Sequence, residues 1–184
     1  EMIADAIQQG CKKIVMGIGG SATCDGGKGM VEALQNCGLL RSDAIKDTKI
    51  VVACDVENPL YGKNGAAYIF APQKGATKEE VEMLDKRLRS FAHDTELLGI
   101  ATPATALQPG TGAAGGLGYA LLAYLKAELK AGIEIMLDIA NFDNTIKDAD
   151  IVVTGEGKSD HQTMMGKVAH GVMKRCRKAN KPIW

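Results

Sequence analysis

The sequence predicts an α/β fold, with a largely parallel or mixed sheet and flanking helices. Three observations carry that prediction. Helix-period and strand-like segments alternate along the 184 residues, the pattern of sheets whose strands are joined by crossover helices. The run Lys49-Ile-Val-Val-Ala-Cys54 is continuous and β-branched, as in a strand covered on both faces. Glycine clusters also follow strand-like runs, where open sheets of this class hold ligands.

In chain order, Glu1 to Gln9 reads as an amphipathic helix with Ile3 and Ile7 on one face and Gly10 as its stop. A strand is expected at Lys13 to Ile18, then a glycine loop and a helix to about Asn36. The second strand, Lys49 to Cys54, ends at Asp55 before a turn-rich segment around Asn58-Pro59 and Gly62 to Gly65. Ala66 to Phe70 is expected as a third strand. Thr77-Lys-Glu-Glu80 fits a capping box opening a helix whose Val81, Leu84, Leu88, Phe91 and Leu98 keep helical spacing. Leu117 to Lys130 reads as another helix, Ile133 to Leu137 and Ile151 to Val153 as strands, and Met164 to Lys178 as the last helix. No internal repeat or low-complexity linker interrupts the chain.

Three glycine-rich stretches stand out: Gly17 to Gly29, Gly110 to Gly118 and Thr154 to Asp160. Glycine lets backbone approach a ligand closely, and a glycine loop opening a helix aims free N–H groups at an anion. In the second stretch, Gly115, Gly116 and Gly118 would weaken a first helical turn. Either a ligand touches that backbone or the helix packs unusually tightly. Carboxylates gather at the strand ends: Asp25 after the first strand, Asp55 after the second, Glu156 and Asp160 after Ile151-Val-Val153. Alone they would repel a phosphate. With Mg²⁺ between, which uses one or two carboxylates plus phosphate oxygens, they make sense. Carboxylates, glycine loops and lysines together point to phosphoryl transfer.

Composition narrows the field. Lys plus Arg and Asp plus Glu number 22 each, so net charge is zero, and neither nucleic acid nor an anionic membrane is an expected partner. No apolar run reaches bilayer-spanning length, and the opening residues carry no secretory pattern. Five cysteines without a C-x-x-C pair fit a reduced, cytoplasmic protein. The three histidines have no zinc or i,i+4 metal spacing, and the cations from Lys174 to Lys178 read mostly as a solvated helix face. Gly17-x-Gly19-x-x-Ala22 formally matches a dinucleotide fingerprint. However, Thr23 to Gly27 keeps the backbone irregular and Asp55 comes too late, which argues against NAD. Gly166-Lys167 lacks the Ser/Thr and first glycine of a P-loop, and protein-kinase signatures are missing.

Gly17-Ile-Gly-Gly-Ser-Ala-Thr-Cys-Asp-Gly-Gly27, Val52-Ala-Cys-Asp-Val-Glu-Asn-Pro-Leu60, Pro72-Gln-Lys-Gly75, Gly110 to Gly118 and Val153-Thr-Gly-Glu-Gly-Lys-Ser-Asp-His-Gln-Thr163 occur in this order. Together they resemble the type I glycerate kinases. The resemblance implies ATP-dependent, Mg²⁺-assisted phosphorylation of D-glycerate. It also implies a flavodoxin-like domain with a second α/β domain inserted into it. Cys24 stands where the family often has asparagine, and Lys158-Ser159 where arginine and an aliphatic residue are usual.

The chain begins at Glu1 and ends on what read as the first residues of a strand, so a central piece of a longer two-domain kinase is expected. Residues 1–184 would be mainly the inserted domain, with 1–20 and 150–184 belonging to the flavodoxin-like part. Such a piece is expected to be inactive alone. Asp25, Asp160 and Lys158 are the expected catalytic groups. Gly19, Gly20, Ser21, Lys74, Gly112, Gly115, Gly116, Gly155, Gln162 and Thr163 are expected to bind substrate or phosphate. Asp55 and Glu156 are expected as Mg²⁺ ligands. D-glycerate and ATP are the expected small-molecule partners, and a homo-oligomer is compatible with the chain. The rival is a non-catalytic module holding a small anion or a nucleotide, and the sequence leaves open which hydroxyl receives phosphate.

Overall fold

The computed structural model describes residues 1–155 and 168–184. The chain divides into two compact units, Glu1–Leu129 and Lys130–Trp184.

The first unit opens with α1 (Met2–Gln8), which buries Ile3 and Ile7. Its end is a Schellman motif. The N–H of Gly10, at φ +85°, donates to Ile7 and that of Cys11 to Ala6, so Gly10 stops the helix as expected. Strands β1 (Lys13–Gly17) and β2 (Lys49–Ala53) pair in parallel, Lys13 opposite Lys49 through Gly17 opposite Ala53. With β3 (Glu128–Lys130) they form one sheet in the order β1-β2-β3. The β-branched run therefore occupies the central strand, where Ile50, Val51 and Val52 are buried.

Helices α2 (Lys28–Asn36) and α3 (Asp43–Lys46) lie between β1 and β2 in sequence; α4 (Ala66–Phe70), α5 (Lys78–Leu97) and α6 (Ala113–Leu125) lie between β2 and β3. The α6 helix is apolar all round, as a helix buried on both faces must be. Its Leu121 and Leu125 join Leu34, Ile50 and Val52 in one core cluster. Its Tyr119 and Ala123 join Leu60, Leu88 and Ala92 in another. Thr77 opens α5 with both halves of the capping box: Glu80 N–H to Thr77 Oγ1 at 3.3 Å, and Thr77 N–H to Glu80 Oε2 at 2.7 Å.

Three expected elements differ. Ala66 to Phe70 is helix, not strand. The run is too short for periodicity to decide, and Ala66 and Ala67 are helix formers whose burial packs α4 onto α5 and α6. Ile133 to Leu137 lies inside α7 (Gly132–Ile139), a second short apolar run with the same ambiguity. The helix expected to reach Lys130 stops at Leu125. There Lys126 turns left-handed (φ 52°), and its ammonium caps the carbonyls of Ala123 and Ile100 at 2.8 and 3.0 Å. That break frees Glu128–Lys130 to pair as β3.

In the second unit, α7, α8 (Phe142–Thr145) and α9 (Val168–Lys178) surround Leu137, Ile146, Val172 and Cys176. Val152 and Ile183 form a parallel bridge, in line with strand character at both. Arg175 departs from the solvated face expected of it. Its guanidinium is largely covered and bonds Glu134, Asp138 and Asp143 from α7 and α8. No helix among the described residues is long and apolar enough to cross a membrane.

Candidate functional site

At the carboxyl ends of β1 and β2 the first unit has a cleft of about 640 Å³. Its floor and walls come from four segments that the fold brings together. Gly17 to Ser21 leaves β1, Asp55 and Val56 leave β2, Phe70 ends α4 with Gln73 and Lys74 just after it, and Ala113 to Gly115 close it. This is where an open parallel sheet presents ligand-binding loops.

The first glycine loop is held by a side chain. Lys74 Nζ donates to Ser21 Oγ and to the Thr23 carbonyl, both at 2.7 Å. Those bonds use two of its three N–H groups and leave a positive charge against the loop. Gly17, Gly19 and Gly20 look onto open space, where an added Cβ would meet nothing within 4 Å. A ligand can therefore come close to their backbone. Asp55 lines the same cleft as an exposed carboxylate.

Asp25 lies elsewhere. Its carboxylate accepts the N–H groups of Gly27 (3.0 Å) and Gly29 (3.1 Å), satisfying orphan donors at the start of α2. It lines a neighbouring hollow with Lys28, Arg87 and Asp94. A third, smaller hollow of about 330 Å³ shares Lys74 with the cleft and Cys24 with the Asp25 hollow. The loop Ala22 to Asp25 is thus flanked by recesses. Burial pushes the Cys24 thiol up although Lys74 pulls it down; burial raises Cys54 as well. Neither thiol is poised as a nucleophile.

The second glycine cluster serves the chain itself. Ala114, Gly115 and Gly116 run left-handed in succession (φ 52°, 68° and 95°), so the regular part of α6 starts at Leu117. A Cβ on Gly115 would strike the Thr23 carbonyl, and one on Gly112 the Pro59 carbonyl; one on Gly116 would stand 2.7 Å from Gly26 Cα. Gly26 N–H donates to Gly115 C=O at 3.0 Å. Of the expected glycines here, Gly115 both packs and lines the cleft, whereas Gly112 and Gly116 do not line it. Close backbone packing, one of the two alternatives in the sequence, is what the structure displays.

Gly155 is exposed in the second unit. Glu156, Lys158, Asp160, Gln162 and Thr163 lie outside the described residues. Among the described residues no group of three or more His, Cys, Asp or Glu could hold a metal.

Sequence reasoning missed Phe70, Gln73 and Ala114 in the cleft, and a supporting carboxylate, Asp85. Asp85 is buried (5% exposed) and accepts Gly62 N–H at 2.6 Å and Arg89 Nε at 2.8 Å, while Arg89 lies over the Tyr61 ring at 4.5 Å. This network ties the turn after β2 to α5. The clue was present: Val81, Asp85, Leu88 and Ala92 form one stripe, and a carboxylate in a buried stripe demands partners. Ala114 left no comparable mark, because nothing in an alanine announces positive φ.

The profile of the Glycerate kinase family matches residues 1–44 and 39–184. The chain is 42% identical over 207 residues to a protein of Bacillus subtilis (strain 168) named glycerate kinase, covering all of this chain and 53% of that one. It is also 42% identical over 210 residues to the glycerate 2-kinase of Escherichia coli (strain K12), covering all of this chain and 54% of that protein. A crystal structure of a Salmonella typhimurium LT2 protein, provisionally named glycerate kinase 2, superposes with a TM-score of 0.82 at 41% identity. It spans 99% of this chain and 54% of the other. The chain therefore spans about half the length of the curated relatives it matches.

Proposed function

The chain belongs to the glycerate kinase family, and we propose that the whole protein transfers the γ-phosphoryl group of ATP to a hydroxyl of D-glycerate, with Mg²⁺. The observation that carries this is the cleft. A glycine loop with open space before its backbone, a lysine bonded to that loop, and a carboxylate at the end of β2 face one cavity.

Phosphoryl transfer asks the protein mainly for positioning and charge stabilisation. In this reading the N–H groups of Gly19 and Gly20 bind phosphate oxygens, and Lys74 offsets negative charge spreading over the transferred group. Asp55 has the donor chemistry of a Mg²⁺ ligand, an exposed oxygen beside a phosphate-binding loop, and Glu156 is the proposed second. Held by these carboxylates, Mg²⁺ would supply neutralisation of the phosphates' negative charge. Asp160 is proposed as the base for the substrate hydroxyl and Lys158 as a further catalytic group; Gly155, Gln162 and Thr163 are proposed to bind substrate or phosphate. Asp25, whose carboxylate already holds two backbone donors, is proposed to act by fixing the loop. Residues 150–184 are assigned to the flavodoxin-like part of a cytoplasmic enzyme, whereas residues 1–20 stay with the first unit, where β1 pairs with β2. A module built only to hold an anion would favour arginine where Asp55 stands, which weighs against the rival.

The test is ADP release by the full-length protein with D-glycerate, L-glycerate or no acceptor, followed by ³¹P spectroscopy of the product. Release that requires D-glycerate is expected. Release indifferent to the acceptor, or none at all, refutes the proposal. Asp160→Asn and Asp55→Asn should each lower turnover at least tenfold.

A further inference from the structure

Resting on that kinase reading, we propose that the cleft beyond β1 and β2 takes the nucleotide, not the three-carbon acid, and that Phe70 is the platform for its base. Size is the first argument. About 640 Å³ lies in the range of sites for drug-sized ligands, and a three-carbon acid leaves most of it empty. The chemistry of the lining is the second. Backbone N–H groups, Ser21 and Lys74 suit phosphates, while Ile18, Val56, Phe70, Ala113 and Ala114 offer an apolar surface that glycerate does not need.

Phe70 is the third argument. The chain has only eight aromatic residues (three Phe, four Tyr, one Trp), and among the described residues Phe70 alone lines this cleft. Its ring is half-buried, packed on one side against the cluster around Leu60 and Ala67, and so is held in place. Lys74 follows four residues later on the same segment, so one short stretch brings both a ring for the base and a cation for the phosphates. Stacking of a base on an aromatic ring is worth roughly 1–3 kcal/mol and accepts any base. The polar side chains in the lining are Ser21, Asp55, Gln73 and Lys74. Ser21 is engaged by Lys74, so Gln73 is the side chain suited to read a base edge. Weak selection between adenine and guanine nucleotides follows.

The experiment measures calorimetric binding of MgADP, MgGDP and tripolyphosphate to the full-length protein and its Phe70→Leu and Phe70→Trp variants. Phe70→Leu should weaken both nucleotides about tenfold, within the range stacking supplies, and leave tripolyphosphate unchanged. Phe70→Trp should keep nucleotide affinity, with tryptophan emission quenched by MgADP and not by tripolyphosphate or D-glycerate. Unchanged MgADP affinity in a folded Phe70→Leu, or quenching of Phe70→Trp by D-glycerate alone, overturns the assignment. Should Phe70→Leu fail to fold, the quenching result decides by itself. Phe70-dependent MgADP binding without glycerate-dependent turnover would support the nucleotide site and sink the kinase reading. Turnover with nucleotide binding indifferent to Phe70 would do the reverse.

Discussion

Gly115 and Gly19 belong to glycine clusters that look alike in sequence, yet alanine should affect them in opposite ways. At Gly115, φ is +68°, and a new Cβ would strike the Thr23 carbonyl and approach Cys24 Cα to 2.9 Å. Left-handed backbone costs alanine about 1–2 kcal/mol, and overpacking against immovable backbone adds about 1–3. Gly115→Ala should therefore lose roughly 2–5 kcal/mol, moving a urea midpoint down by about 1–2 M at a typical slope. At Gly19 a Cβ meets nothing and φ is not left-handed, so stability should stay within about 0.5 kcal/mol. Its ligand affinity should nevertheless fall, because a methyl group stands between phosphate and backbone. Losing one hydrogen bond to a charged group, about 1.5–3 kcal/mol, corresponds to about tenfold or more. Ala114→Gly supplies a control of opposite sign: φ is 52°, so glycine should be neutral or stabilising by about 1 kcal/mol. Urea unfolding paired with MgADP calorimetry on the full-length protein reads all three. A Gly115→Ala variant as stable as the parent refutes the packing argument, and unaltered MgADP affinity in Gly19→Ala refutes the binding argument.

Two further outcomes follow from buried charge. Asp85→Ala strands the Gly62 N–H, while the half-exposed Arg89 guanidinium can turn to water, and should cost about 1–3 kcal/mol in urea unfolding; Asp85→Asn, which keeps an acceptor for Gly62, should lose less. Equal losses would show that the charge, not the Gly62 bond, matters. In the second unit, burial lifts the Glu134 carboxyl, but bonds from Arg175 and Lys174 outweigh it and hold it low, and Arg175 also holds Asp138 low. Both acids bind protons more weakly folded than unfolded. Their contribution is full above the ordinary carboxylate range near 4 and disappears as pH falls through the lower folded values. Amide protection in α7 and α9 should thus hold from pH 7 to about 5 and drop below about 4. Arg175→Met should remove that drop, and an unchanged acid profile would refute it.

What the sequence disclosed follows from which interactions are local. Gly10, Thr77 and Glu80 act within a few residues of themselves, so the end of α1 and the start of α5 were readable. The buried strand was legible too, because a doubly covered strand is apolar throughout. Ala66 to Phe70 and Ile133 to Leu137 were not. Five apolar residues satisfy either period, and what decides is the neighbour across the core, such as α6 for α4. The same limit applies to the site. Gly19, Gly20 and Ser21 announced a loop. That Lys74 would reach it from 53 residues away is a product of the fold, as is the separation of Asp25 from Asp55.

Two glycine clusters with similar composition thus perform different work. In the first, glycines leave backbone bare toward solvent at Gly17 to Gly20; in the second, they let two pieces of main chain touch, Gly115 against Thr23 and Gly116 against Gly26. The second arrangement supports the first. Gly26 N–H ends on the Gly115 carbonyl, Lys74 holds Ser21 and Thr23, and Asp25 holds Gly27 and Gly29. The loop is fixed at several points along its length while its ligand-facing stretch stays free of side chains. A phosphate-binding loop gains by such preorganisation, since bonds formed before the ligand arrives need no reorganisation when charge develops on it. That consequence ties the left-handed turn at Ala114 to Gly116, otherwise an unexplained expense in a helix start, to the chemistry of the cleft it borders.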